Sequence, residues 1–187
     1  MSLEKKHEIT AEATRIIAYE GMENLTLSTL ADRVGLSKAT LYNYFRSRDE
    51  IIEEVIREGH TAFMKRGFRL SLSGSVGEVL LSASTHWREI FLSDEHIPWL
   101  RVIFSTHLVN DLAADEYRSI TLMLTSQAEV VISSFALLPL YQKSLTQLFS
   151  SLLLSRLEST LEGEEINIED DVRGFASLVE KVRNGGK

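Results

Sequence analysis

Thr26-Leu-Ser-Thr-Leu-Ala-Asp-Arg-Val-Gly-Leu-Ser-Lys-Ala-Thr-Leu-Tyr-Asn-Tyr-Phe-Arg-Ser-Arg-Asp-Glu-Ile-Ile52 spells two short helices, a tight turn between them, and the start of a longer helix. The Thr26 hydroxyl is suited to accept from the free backbone N–H groups that open the first helix. Leu27, Leu30, Ala31 and Val34 fall at i, i+3, i+4 and i+7, one buried helical face. Gly35 ends that helix, because a residue without Cβ enters the left-handed conformation at no steric cost. Leu36 plugs the corner and Ser37 caps the second helix. Leu41 and Phe45 hold that helix to the core and leave Lys38, Ala39, Thr40, Tyr42, Asn43 and Tyr44 on its accessible sides. A helix, a glycine turn and a second helix rich in hydrogen-bonding side chains make a helix-turn-helix, the arrangement that enters the DNA major groove.

Working outward, residues 3–20 carry Ile9, Ala13, Ile16 and Ile17 at helical spacing, with Gly21 as the stop. Lys5, Lys6 and Arg15 on this helix are candidates for phosphate contacts. After the motif, Ser47-Arg-Asp-Glu50 has the form of a capping box, Ser47 as cap and Glu50 reaching back to it. The helix it opens is expected to run through Ile51, Val55, Phe63 and Met64 to about Leu70. Ser71-Leu-Ser-Gly-Ser75 is a small-residue linker. Beyond it the apolar spacing predicts helices from Ser75 to about Leu92, from Ile97 to Val109, and from Asn110 to near Leu137. Two more are expected from Pro139 to about Leu161 and from Ile168 to Val182. The expected fold is all-α with about nine helices.

The 187 residues include no Cys, which excludes disulfides and thiolate metal sites. The five histidines show no metal-ligand spacing, and no nucleophile triad, acid–base pair or phosphate loop emerges. We therefore expect no metal, no cofactor and no enzyme activity. The polar start without an apolar signal core, and the interruption of the apolar run at 145–157 by Gln147, serines and Arg156, predict a cytoplasmic chain with no membrane partner. The net charge of −7 is unusual for a nucleic-acid binder. Within 33–48, however, Arg33, Lys38, Arg46 and Arg48 occur with no acidic residue among them.

The pattern Thr-hydrophobic-x-x-Leu-Ala-x-x-Val-Gly-Leu-Ser-x-x-Thr-Leu-Tyr-x-Tyr-Phe-x-Ser-Arg-x-x-Ile, from Thr26 to Ile51, resembles the tetracycline-repressor (TetR) family of transcription regulators. The resemblance covers roughly residues 5–60. It implies a three-helix DNA-binding head over 1–47 and a helical effector-binding and dimerisation body over 48–187, with 48–70 connecting them. It also implies that Lys38, Ala39, Thr40, Asn43 and Tyr44 face the groove. There Asn43 would read adenine and Lys38 guanine, while Thr40 and Ala39 would meet a thymine methyl. Tyr42 matches a phosphate-contacting tyrosine. Arg48 stands where a lysine is usual and offers phosphate a guanidinium fork. Thr26 and Ser37 are read as DNA contacts as well as caps.

For the body the resemblance implies a small-molecule effector and a homodimer. Phe63, Trp87, Phe91, Trp99, Phe104, His107, Tyr117 and Met123 are the candidate pocket residues. Residues 140–157 are apolar over more of the helix than one buried stripe requires. Tyr141, Leu145, Leu148, Phe149 and Leu152, with Phe175, Leu178 and Val179 on the last helix, form the candidate dimer surface, a four-helix interface about a two-fold axis. The expected function is a ligand-responsive repressor that binds a palindromic double-stranded DNA operator as a dimer. The alternative is a helical protein–protein adaptor that keeps the head fold without specific DNA binding.

Overall fold

The computed structural model describes residues 2–65, 67, 69–165 and 167–185. Among these residues the chain is all-α, with nine α-helices and no strand. They are α1 (Leu3–Glu20), α2 (Leu27–Arg33), α3 (Lys38–Leu41), α4 (Arg48–Met64), α5 (Val76–Phe91), α6 (Ile97–Thr106), α7 (Asp111–Ser133), α8 (Pro139–Glu162) and α9 (Ile168–Gly185), with a short 3₁₀ turn at Met22–Asn24. By packing, the chain divides into two compact units, one of residues 1–66 with 94–117 and one of 67–93 with 118–187.

In the first unit α1 supports everything else. Its face of Ile9, Ala13, Ile16 and Ile17 is buried, and α2, α4 and α6 all pack against it. Gly21 ends α1 at a φ of 98°. α4 turns Ile51, Ile52, Val55, Ile56 and Phe63 inward and meets α6 through Trp99. The indole Nε1 donates to the Ile56 carbonyl at 3.1 Å, and the ring stands beside Phe63 with centroids 5.4 Å apart. Its five-membered edge lies against Gly59, where a Cβ would come within 1.9 Å of Cδ1. Only glycine allows this crossing.

α4 ends at Met64 with Lys65 as its C-cap, not near Leu70. Residues 66 and 68 of that expected helix lie outside the described residues, and Gly67 and 69–74 form no helix. Serines and glycines in this segment hold a helix poorly, so the chain leaves it once the buried stripe stops at Phe63. α6 and α7 also stop short of expectation, at Thr106 and Ser133.

In the second unit α5 and α9 pack along one another, and α8 meets α9. α5 opens with a complete capping box. The Ser75 hydroxyl accepts from the Glu78 N–H at 3.3 Å, and the Glu78 carboxylate accepts from the Ser75 N–H at 2.7 Å. The Ser75 N–H first, and then the Ser75 hydroxyl donating to the same carboxylate at 2.8 Å, hold the Glu78 carboxyl below the usual carboxylate range. Arg156 of α8 grips Asp171 of α9 through two contacts, at 2.7 and 2.9 Å, and Phe149 stacks on Phe175 at 5.1 Å. Ala136, with φ 52°, carries the turn from α7 to α8.

Candidate nucleic-acid interface

The helix-turn-helix is assembled by its own small residues. The Thr26 hydroxyl oxygen accepts from the Thr29 N–H at 3.0 Å and caps α2. Gly35 takes a φ of 66°, and the Leu36 N–H returns to the Ala31 carbonyl at 2.9 Å, closing the turn. The Ser37 oxygen then caps α3 by accepting from the Thr40 N–H at 3.0 Å. α3 is one α-turn long and tightens after Leu41, where the Asn43 N–H bonds to Thr40 rather than to Ala39. Leu30, Ala31, Val34, Leu41 and Phe45 are all buried, so the inner face is the apolar one that the spacing requires.

The opposite face is bare. Lys38, Ala39, Tyr42 and Asn43 are exposed, and Thr40 and Tyr44 are half-buried. Tyr42 shows 47% of its surface. Thr40 is less free than its neighbours, because its hydroxyl lies 2.7 Å from that of Ser37 and shares in the cap. Thr26 is similarly tied to the Thr29 hydroxyl at 2.8 Å.

The basic residues around the motif are mostly engaged within the chain. Arg33 forms a fork on Glu20, at 2.5 and 2.6 Å, with Glu12 at 3.4 Å. The Arg33 hydrogen bond holds the Glu20 carboxyl below its ordinary range, and the same bond raises Arg33. Lys5 donates to the Val34 carbonyl at 2.9 Å and so closes the open end of α2. Lys6 pairs with Glu54 at 2.8 Å and lies over the Phe45 ring. Arg15 sits on Glu12 at 3.2 Å. Arg48 turns its guanidinium onto the Met22 carbonyl, which fastens the start of α4 to the connection between α1 and α2. The basic cluster read in 33–48 therefore contracts, on the free surface, to Lys38 and Arg46.

Sequence reasoning missed Glu54, which is buried on α4 between Lys6 and Arg57. Its position was a signal, since an acid directly before Val55 and Ile56 falls within the inward stripe of α4.

The eight aromatic and polar residues assigned to effector contact fall into separate groups. In the first unit, Phe63 and Trp99 lie together. Tyr117 is stacked on His107 at 4.2 Å and edge-on to Phe104 at 5.0 Å. In the second unit, Trp87 and Phe91 stack at 5.5 Å, and Met123 is half-buried on α7. Trp99 also lines a cavity of about 310 Å³ between α1, α4 and α6. Of the proposed dimer residues, Leu145, Phe149, Phe175 and Val179 are buried within the chain's own packing. Tyr141, Leu148 and Leu178 are exposed, and Leu152 is half-buried. Among the described residues no helix is long and apolar enough to cross a membrane.

Comparison with known proteins agrees with this geometry. Residues 9–55 match the family described as bacterial regulatory proteins, tetR family. The chain is 30% identical over 54 residues to the HTH-type transcriptional repressor KstR2 of Mycolicibacterium smegmatis, covering 29% of this chain and 26% of that protein. It is 40% identical over 50 residues to the HTH-type transcriptional regulator YvaF of Bacillus subtilis, covering 27% of this chain and 26% of that protein. The matched region thus spans about a quarter of these curated relatives. Over nearly the whole chain, the fold is that of a transcriptional regulator from Rhodococcus sp. Rha1, with a TM-score of 0.65, 12% identity and 96% of each chain covered. A Saccharomonospora viridis transcriptional regulator solved in complex with choline superposes with a TM-score of 0.64 at 17% identity, covering 94% of this chain and 95% of that one. Residues 9–55 thus carry the helix-turn-helix of the tetR family of bacterial regulatory proteins, on a chain whose fold is that of these solved transcriptional regulators.

Proposed function

We propose that this protein is a transcription regulator that binds a palindromic operator as a homodimer, acts as a repressor in the cytoplasm, and releases DNA when a small effector binds its body. The observation that carries the reading is the bare outer face of α3, with Lys38, Ala39, Tyr42 and Asn43 exposed over a fully buried inner face. One head presents too few base contacts for specificity, and a dimer doubles them across two half-sites. The exposed Tyr141, Leu148 and Leu178 on α8 and α9 support those helices as the dimer surface. The choline held by the S. viridis protein supports a body of this fold as a receiver of small molecules. On this reading residues 1–47 are the head, and 48–187 receive effector and partner, with α4 connecting. Effector would act by favouring one of two separations of the heads, a population shift.

Selection of fragments bound from genomic DNA tests the reading. A recurring inverted repeat protected by wild-type protein, and lost with Tyr42→Ala, is the expected result. Absence of any enriched sequence at low salt overturns it. The adaptor alternative draws on one observation, that Arg33, Lys5, Lys6 and Arg48 are all engaged inside an acidic chain. It predicts no DNA binding at any salt concentration.

A further inference from the structure

Arg48 opens α4, directly after the Ser47 cap. A cation in the first turn of a helix faces the positive end of the backbone dipole, so its charge adds nothing to α4. The guanidinium instead folds back and donates to the Met22 carbonyl, 26 residues earlier, and its Nε is withdrawn from solvent. The same carbonyl accepts from the Leu25 N–H at 3.3 Å and so closes the 3₁₀ turn. The Leu25 side chain is buried. Arg48 is therefore bonded to a turn that is itself anchored in the core.

That bond closes a loop. Between Met22 and Arg48 lie α2, the Gly35 turn and α3, the whole helix-turn-helix. The caps inside the loop act over three residues, Thr26 on Thr29 and Ser37 on Thr40, and fix only where each helix begins. Leu30, Leu41 and Phe45 hold the two helices by apolar burial, which tolerates small shifts in packing. The Arg48 bond is directional and joins the two ends of the segment, so it sets how the outer face of α3 stands against α4. α3 is four residues long, and hydrogen bonds to base edges weaken steeply when donor and acceptor are misaligned.

We propose that Arg48 is a positioning residue for DNA binding: by holding the Met22 carbonyl it sets the attitude of α3, and it supplies no phosphate contact. The inference rests on the regulator reading. Its test uses the full chain, the fragment that wild-type protein selects from genomic DNA, and a scrambled duplex of the same length. Arg48→Met keeps an apolar stem and removes the charge and the donors. Its affinity for the selected fragment should fall about tenfold, the scale of one hydrogen bond to a charged group. Its affinity for the scrambled duplex, and the slope of log affinity against log salt, should stay as in wild type. Loss of a phosphate contact acts otherwise, weakening both duplexes alike and lowering the slope by about one. That result overturns the proposal. So does wild-type affinity for the selected fragment in a folded variant, which leaves the bond a stabilising role alone. Should Arg48→Met fail to fold, Arg48→Lys decides. Its ammonium keeps the charge for phosphate but ends one bond short of the arginine fork, so a loss confined to the selected fragment is expected, and wild-type affinity overturns the proposal. Wild-type protein that selects no fragment overturns the regulator reading and this proposal with it, a case that the wild-type arm alone identifies.

Discussion

The two units hold themselves together by different means. In the first, specific polar contacts fix each helix to its neighbour. Lys5 closes α2 at Val34, Arg48 fastens α4 to Met22, Lys6 meets a buried Glu54, and the Trp99 indole bonds to the Ile56 carbonyl. In the second, helices pack through apolar stripes, with one notable polar clasp, Arg156 on Asp171. A directional contact admits one arrangement, whereas stripes of Leu and Val tolerate many repackings of similar volume. The difference teaches that the first unit is built to hold α3 in one attitude, while the second can change its lining without losing its fold.

The largest test of that contrast is at the crossing of α4 and α6. Gly59→Val should destabilise the first unit by about 3 kcal/mol or more, because the ring it meets is itself locked in place. Trp99→Ala should cost about 3–5 kcal/mol through lost packing against Phe63 and Gly59 and the lost indole hydrogen bond. Both are read by chemical denaturation, and a change below about 1 kcal/mol for either would remove the crossing from the account. Next is Glu54→Ala, which leaves Lys6 facing an apolar ring without its partner. A loss of up to about 3 kcal/mol is expected, at the lower end for a buried pair because Lys6 is partly solvated. An unchanged unfolding midpoint would show the pair to be incidental.

What was legible in the sequence follows the same division. Thr26, Gly35 and Ser37 act through their immediate neighbours, so local spacing sufficed to place the turn and both caps. Partners distant in sequence were out of reach. Nothing near Arg33 announces Glu20, and nothing near Arg48 announces the Met22 carbonyl, so the basic cluster looked larger than the free surface makes it. The capping box expected at Ser47 forms only in part. Ser75 and Glu78 form the reciprocal box, whereas Glu50 passes Ser47 and accepts from the Arg46 N–H at 2.6 Å. A four-residue pattern fixes the hydroxyl half of the box, while the carboxylate half depends on how the chain enters the helix. In α8 the sequence showed excess apolar surface but not its direction. Leu145 and Phe149 turn inward, and Leu148 turns out.

Smaller effects sharpen the comparison. Ser47→Ala should cost about 1 kcal/mol as a lost cap. For Glu78 the sign is set by its lowered carboxyl. Its contribution is present in full above the ordinary carboxylate range and is lost as pH falls through the lowered folded value. Glu78→Gln should therefore flatten the acid limb of the stability–pH curve, and an unaltered limb would deny the carboxylate half of the box a role. Lys38→Ala and Tyr42→Ala, on the bare face, should change stability by less than about 0.5 kcal/mol.

That last pair leads to the measurement that tests the central claim most directly, the affinity of the chain for its selected operator fragment as a function of salt. The account predicts a steep linear fall of log affinity with log salt. It also predicts a shallower slope for Lys38→Ala and a marked loss of affinity for Tyr42→Ala at unchanged fold. A salt-independent affinity, or variants that bind as wild type does, would contradict the assignment of the outer face of α3 to DNA.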